Sequence, residues 1–190
     1  MGSFWGHLHT INHHRRLVRQ GCFQMGLYRQ GLTHDLSKYS PVEFLTGVKY
    51  YQGTRSPNIA EREEKGWSEA WMHHKGRNRH HWEYWTDLDT KTKTYQPVPM
   101  PKKYLAEMVA DRIAACKPYQ GKNYTDASAL SYLERSNEAR LLHPQTLREL
   151  RFLLTMLKNS GEAETFRYIR TCLQTGKVFC PEEAAAAAEK

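Results

Sequence analysis

The 190-residue sequence predicts a single all-α domain. Apolar residues recur at helical spacing, and no segment alternates apolar and polar residues as a half-buried strand does. Hydrophobic residues make up 39% and charged residues 25% of the chain, which is typical of a globular domain. No apolar run approaches the roughly 18 residues of a membrane helix, and the N-terminus does not resemble a secretory signal. A cytoplasmic protein without a membrane span is expected.

The first predicted helix carries His14, Val18, Cys22 and Met25 on one face, because their spacings are four, four and three residues. Glycines at positions 21, 26 and 31 are expected to interrupt helical structure between this helix and a short element over 32–38, since glycine disfavours a helix interior.

A further helix is predicted to start at Ser40-Pro41-Val42-Glu43. Serine can cap the helix, proline suits its first position, and Glu43 is placed to complete a capping box. The polar segment 52–66 contains Gly, Pro and Asn, so it predicts an exposed loop running into a charged turn.

The second half begins with a break at 86–101, which is long for a compact domain and indicates a lid or a mobile surface loop. Apolar spacing then predicts an amphipathic helix over about 102–116. Further helices are expected at about 126–140, 144–159 and 162–175. Gly161 separates the last two, and Gly176 ends the last one.

The cysteine spacing argues against one kind of metal site, and the net charge favours one kind of partner. The four cysteines are far apart and form no CxxC pair, which argues against a thiolate zinc site. The formal net charge of +8 favours an anionic partner, either a phosphorylated small molecule or nucleic acid.

Histidines are concentrated early in the chain, with nine of the ten before residue 82. Seven of these nine occur in pairs with each other or with an aspartate, and this grouping predicts a metal site. Imidazole and carboxylate together suit divalent transition metals, here iron, manganese, zinc, nickel or cobalt. The pairs are His13-His14, His34-Asp35, His73-His74 and His80-His81.

His14, the string HDLSK at 34–38 and Asp111 in MVADRIAA reproduce the H, HD, D order of the HD-domain superfamily, which the sequence resembles. The resemblance implies a helical fold that brings His14, His34, Asp35 and Asp111 onto one metal ion. HDLSK is also similar to the HD-x-x-K form of cyclic-dinucleotide phosphodiesterases and di-iron oxygenases in this superfamily.

The strings THDLSKYSPVEF, AWMHHKGRNRHHWEYW and EMVADRIAA resemble a family of uncharacterised bacterial and phage proteins over roughly residues 10–120. The resemblance implies an HD-like metal-binding core over 1–120. Residues 121–176 are expected to form helices packed on that core within the same domain, and 177–190 a flexible tail.

Three of the candidate residues have competing interpretations. His14 is preferred to His13 as the ligand because it shares a helical face with Val18. Asp111 lies on an apolar face, where a carboxylate is costly unless it is paired or metal-bound; the alternative is a surface salt bridge. Lys38 lies four residues after His34 and is expected to contact a substrate phosphate as a catalytic residue, unless it is simply solvated.

Residues 67–85 hold four of the five tryptophans and both later histidine pairs. In binuclear members of the superfamily that the sequence resembles, extra histidines bind a second metal. The resemblance therefore implies the same role for His74 here. The short spacing between the pairs instead favours His80 and His81 as general acid and base or substrate contacts. Trp82 and Trp85 are expected to form a wall for a nucleobase or sugar, with core packing as the alternative.

The leading functional prediction is a metal-dependent phosphohydrolase acting on a nucleotide or other phosphorylated small molecule. One or two divalent ions would polarise the phosphoryl group and activate water. The alternatives are an HD-type di-iron oxygenase and a nucleic-acid-binding protein without catalysis; the second lacks a recognisable binding motif. The residues predicted to bind substrate are Lys75, Arg77, Asn78, Arg79, Trp82 and Trp85.

Overall fold

The computed structural model describes residues 3–181 and confirms an all-α fold. Short 3-10 turns and one small β-hairpin connect the helices. Within the described range, no helix combines the length and apolarity that a membrane crossing requires. The helices are α1 (Phe4–Gln24), α2 (Tyr28–Thr33), α3 (Pro41–Lys49), α4 (Pro57–Lys65), α5 (Glu69–Arg77), α6 (Lys102–Gln120), α7 (Ser128–Arg135) and α8 (Pro144–Thr175).

The hydrophobic core lies where α1, α6 and α8 pack together. Val18 of α1, Leu105 and Val109 of α6 and Leu153 of α8 are fully buried there. Each such side chain stabilises the fold by about 1.5–3 kcal/mol through removal of apolar surface from water. The packing fixes α1 and α6 side by side, and these two helices carry opposite sides of the candidate site.

Close approach of α1 to α6 depends on Gly21. A Cβ at this position would lie 3.2 Å from both Ala110 Cβ and Phe166 Cζ, tighter than ordinary packing. The prediction that Gly21 breaks the first helix was wrong, because the glycine lies inside α1 and serves packing. The break falls at Gly26, whose φ of 79° is left-handed.

Residues 52–66 do not form only a loop, because α4 occupies most of the second half of this segment. Proline stands at its first turn and Gly66 ends it in the left-handed region. The buried stripe of α4 is narrow, with Ala60 and a fully buried Glu61. Glu61 Oε2 accepts a hydrogen bond from Ser68 Oγ at 2.6 Å, so its burial anchors the start of α5. A stripe with so few apolar residues gave no helical pattern in the sequence.

The break at 86–101 contains a two-stranded antiparallel hairpin, β1 (Thr86–Leu88) and β2 (Tyr95–Pro97), where no strand was expected. The strands are only three residues each and mostly exposed. Such short exposed strands show no alternation to detect in the sequence.

The last helices follow the predicted breaks. α7 is shorter than the predicted 126–140 helix and is followed by a separate 3-10 turn, Asn137–Arg140. Gly161, with a φ of 78°, interrupts the helical backbone within α8, and Gly176 ends α8 in the left-handed region. The two glycines therefore have the predicted positions and roles.

The predicted flexible tail does not begin at 177, because Phe179 is fully buried in the core. Tyr168 Oη also donates a hydrogen bond to the Phe179 carbonyl at 3.0 Å. The sequence shows only a short apolar run here, residues 178–180, without a helical face, so the burial of Phe179 was missed. Residues 182–190 of the predicted tail lie outside the described residues.

Phe179→Ala is expected to lower the free energy of unfolding by about 3–5 kcal/mol, because it leaves a cavity in the core. Val178→Ala is the control, since Val178 is half exposed. Its effect should stay within about 0.5 kcal/mol. Urea unfolding of both variants measures the difference, and equal effects would contradict the docking of this segment.

Candidate metal centre

The His34-Asp35 pair lies in the sharp turn between α2 and the 3-10 turn Leu36–Tyr39. Asp35 has a left-handed backbone, with φ 53° and ψ 27°, a conformation that aspartate tolerates better than most residues. Arg15 of α1 holds the turn, because its Nε donates to the His34 carbonyl at 2.8 Å and its Nη2 to the Leu32 carbonyl at 3.0 Å. Both side chains of the pair therefore point into the protein, where they are buried.

The four ligands predicted for one ion do converge. His14 Nε2 lies 3.0 Å from Asp111 Oδ1 and 3.6 Å from Asp35 Oδ2. His34 Nε2 lies 3.4 Å from each of these two carboxylate oxygens and from His14 Nε2. Ligand atoms about 2.1 Å from a tetrahedral ion are separated by about 3.4 Å. The spacing of the group therefore suits a transition-metal ion.

A second group of ligand atoms surrounds the other oxygen of Asp35. His74 Nε2 lies 3.3 Å and His80 Nε2 lies 3.4 Å from Asp35 Oδ1. His81 belongs to the same group, whose ligand atoms all lie within 4.8 Å of one another. Asn78 ends α5 after His74, so the chain turns back and brings the later pair beside it. The sequence had separated these residues into a ligand, His74, and two proton carriers, His80 and His81.

The second group contains buried polar atoms without hydrogen-bond partners. Asp35 Oδ1, His80 Nε2 and His81 Nε2 are all of this kind. Leaving a buried polar atom unsatisfied costs about 1–3 kcal/mol. A divalent cation accepts lone pairs from all three at once, so the donor set fits a metal ion.

Two glutamates contact the Nδ1 atoms of the histidines, on the side of each ring away from the ligand groups. Glu107 Oε1 accepts a hydrogen bond from His34 Nδ1 at 2.9 Å and lies 3.2 Å from His80 Nδ1. Glu43 Oε2 accepts from His74 Nδ1 at 2.7 Å. An ionised carboxylate only accepts hydrogen bonds, so each Nδ1 carries a proton and each Nε2 is the nitrogen that faces the ligand group.

Sequence reasoning missed both glutamates. Glu107 lies four residues before Asp111 on the same face of α6, and this spacing was the available signal. Glu43 had been assigned to the capping box. Ser40 Oγ does accept from the Glu43 backbone N–H at 3.5 Å, but the Glu43 carboxylate turns to His73 and His74.

Electrostatics keep the carboxylates ionised. Burial raises the pKa of Asp35, but the positive charges of His34 and Lys38 outweigh it and hold that pKa well below its usual value. Burial also raises the pKa of Asp111, while hydrogen bonds from His14 and His34 bring it well below the usual value. Although burial lowers the pKa of His34, the Asp35 charge raises it well above normal. The carboxylates thus favour positive charge at this position.

Burial lowers the pKa of His14, and it lowers that of His81 well below the usual value. These imidazoles are therefore neutral at physiological pH. A neutral imidazole and an ionised carboxylate are the forms that bind metal.

The first ligand group opens to solvent, and Lys38 stands at the opening. The exposed fractions of the side chains are 12% for His14, 18% for Asp111 and 30% for Lys38. Lys38 Nζ lies 2.7 Å from Asp35 Oδ2, the oxygen that faces the first group. An anion entering here meets the Lys38 ammonium beside the ligand atoms.

All of these residues fall within one family match. A family of unknown function (DUF5662) matches residues 3–156. The chain belongs to this family. No curated protein and no solved structure gives a significant match. Membership in DUF5662 agrees with the prediction of an uncharacterised family, and the HD relationship stays a prediction.

Asn78, Trp82 and Trp85 make contacts within the protein in this DUF5662 chain, and their contact with substrate stays a prediction. Asn78 is buried and its Nδ2 donates to the His74 carbonyl at 2.9 Å and to Ser37 Oγ at 2.7 Å. Trp82 and Trp85 pack against the hydrophobic core. The structure thus contains the core packing that was the alternative for the two tryptophans.

The other predicted phosphate contacts point elsewhere. Arg79 Nη1 donates to Tyr104 Oη at 3.2 Å, and the Arg77 guanidinium turns back to the His73 carbonyl at 3.4 Å. The Lys75 charge acts on Glu83. Over residues 3–181, no ion pair joins these three side chains to the ligand atoms, whereas Lys38 does contact them.

Proposed function

We propose that this DUF5662 protein is a metal-dependent phosphohydrolase of the HD-domain superfamily, acting on a phosphorylated small molecule. The observation that carries the proposal is the shared carboxylate of Asp35, with one oxygen facing each ligand group. Two ions on one bridging carboxylate are typical of enzymes that cleave phosphate esters. Because the donors are mainly imidazoles, the cofactor is a divalent transition metal.

Bound ions would act as Lewis acids on a phosphoryl oxygen and would lower the pKa of a coordinated water. Side chains of the protein would supply the charge balance, the orientation of the imidazoles and the contact with substrate. Asp35 and Asp111 balance the positive charge of the ions, while Glu107 and Glu43 hold the imidazoles in the binding tautomer. Lys38 is the residue that meets the substrate, because its ammonium stands at the solvent opening and can neutralise phosphate oxygens.

A small substrate is favoured over nucleic acid. Of the four basic residues predicted to contact phosphate, Lys38 alone touches the ligand atoms, and a nucleic acid needs a row of such contacts. His80 and His81 are reassigned as ligands of the second ion, because their Nε2 atoms are buried with Asp35 Oδ1 rather than open to substrate.

The test is a screen of phosphomonoesters and phosphodiesters with protein loaded with manganese, iron, cobalt, nickel or zinc. Lys38→Met is expected to lower kcat/KM about 100-fold, the typical loss when one charge-stabilising donor is removed. Its metal content should equal that of the parent. Lys75→Met is the matched control and should retain activity, since no ion pair within residues 3–181 joins Lys75 to the ligand atoms, whereas Lys38 contacts Asp35.

Absence of phosphate release from every ester would overturn the hydrolase proposal. Two bound irons together with substrate-dependent oxygen consumption would establish the di-iron oxygenase instead. Equal activity of the Lys38 variant and the parent would remove Lys38 from the substrate contact.

A further inference from the structure

Glu107 of α6 lies behind both ligand groups at once. Its Oε1 atom accepts a hydrogen bond from His34 Nδ1 of the first group at 2.9 Å and lies 3.2 Å from His80 Nδ1 of the second, within hydrogen-bonding distance. The two rings lie with their centroids 4.3 Å apart and their planes tilted by 36°. Thus one oxygen atom sets the tautomer and the orientation of a ligand in each group.

We propose that Glu107 is a positioning residue that couples the two metal positions, so that binding of one ion prepares the site for the other. The inference rests on the proposed function only in requiring two ions. Asp35 joins the two groups as a shared ligand. Glu107 joins them through the Nδ1 atoms of His34 and His80, on the side of each ring away from the ion, and binds neither ion.

The coupling follows from the shared acceptor. A cation on His34 Nε2 withdraws electron density from the ring, which makes Nδ1–H a stronger donor to Glu107. The strengthened hydrogen bond restricts the carboxylate to one position. That position also orients His80, so less ordering remains when the second ion binds, and its affinity rises. By linkage, the second ion strengthens the first equally.

Burial makes the Glu107 position well defined. The residue is only 5% exposed, so water competes little for its oxygens. Although burial raises the pKa of Glu107, hydrogen bonds from His34 and His80 bring it below the usual value, so the carboxylate stays an acceptor.

Glu43 provides a matched comparison within the same chain. It also accepts from a ligand histidine, with 2.7 Å between Oε2 and His74 Nδ1. Its other oxygen accepts from His73, which lies outside both ligand groups. Glu43 therefore supports the second group alone, and its loss is expected to affect one ion.

The experiment titrates cobalt(II) into full-length, metal-free protein and follows binding by calorimetry and by visible absorption. The parent is expected to bind two ions cooperatively. Glu107→Gln should weaken both ions by about 10–100-fold and abolish the cooperativity, since a neutral amide is a poorer acceptor. Glu43→Gln should weaken one ion by a similar factor and leave the other unchanged.

The outcomes separate the two proposals. A parent that binds no cobalt overturns the proposed function itself. A parent that binds two ions, with Glu107→Gln equal to it or impaired at one ion only, overturns the coupling. Circular dichroism checks folding, and Glu107→Asp serves if the glutamine variant does not fold. The shorter side chain cannot reach both rings equally, so unchanged cooperative binding by this variant also overturns the coupling.

Discussion

Asp35→Asn is expected to empty both metal positions, the largest effect of any single substitution in this chain. Asp35 is the one residue common to the His14–His34–Asp111 group and the His74–His80–His81 group. Asparagine matches aspartate in shape and tolerates a left-handed backbone, so the turn at φ 53° is kept. The change therefore removes charge and donor strength without disturbing the turn.

Metal analysis of protein purified without chelator measures this effect. Asp87→Asn is the control, because Asp87 lies exposed on the hairpin strand β1. The control should hold as much metal as the parent, whereas Asp35→Asn should hold almost none. Retention of both ions by the Asp35 variant would reject the shared-ligand arrangement.

Removal of metal from the parent is expected to lower its melting temperature by about 8–16 °C. An ion present at about 1,000 times its Kd stabilises the folded state by roughly 4.1 kcal/mol, because it binds the folded chain alone. For a chain of this size, 1 kcal/mol corresponds to about 2–4 °C. The Asp35→Asn variant has no ion to lose, so chelator should leave its melting temperature nearly unchanged.

Thermal scans of parent and variant with and without chelator test this expectation. Restoring the metal to the parent should restore its melting temperature. An equal shift in the parent and the Asp35 variant would show that the chelator acts away from the centre. No shift in the parent would contradict metal binding by the folded state.

The members of the first ligand group could be predicted because their residue types and their order along the chain are enough to single them out. His14 was chosen over His13 from helical facing alone, and in the structure His13 is exposed while His14 meets Asp111. Asp111 on an apolar face was likewise informative, because an unpaired carboxylate there would be costly.

The remainder of the site depends on tertiary packing that local pattern does not encode. Glu43 has the position of an ordinary cap residue, and its carboxylate turns away only because α5 packs against α3. His80 and His81 were separated from His74 because their short spacing along the chain favoured proton carriers, whereas the chain reversal at Asn78 brings all three rings together. Trp82 and Trp85 of the same segment pack against the core, the commoner role of such side chains.

The candidate ligands come from α1 early in the chain and from α6 much later in it, which would determine when an ion could be held during synthesis of the chain. His14, the His34-Asp35 turn and the three later histidines leave the ribosome before Glu107 and Asp111 do. At about 5–20 residues per second, the stretch from His81 to Asp111 takes a few seconds to translate. Throughout that interval the nascent chain has most of its imidazoles but lacks the carboxylates of α6. Under the proposed metal binding, selection of the correct ion would therefore wait until α6 has been made and has packed against α1.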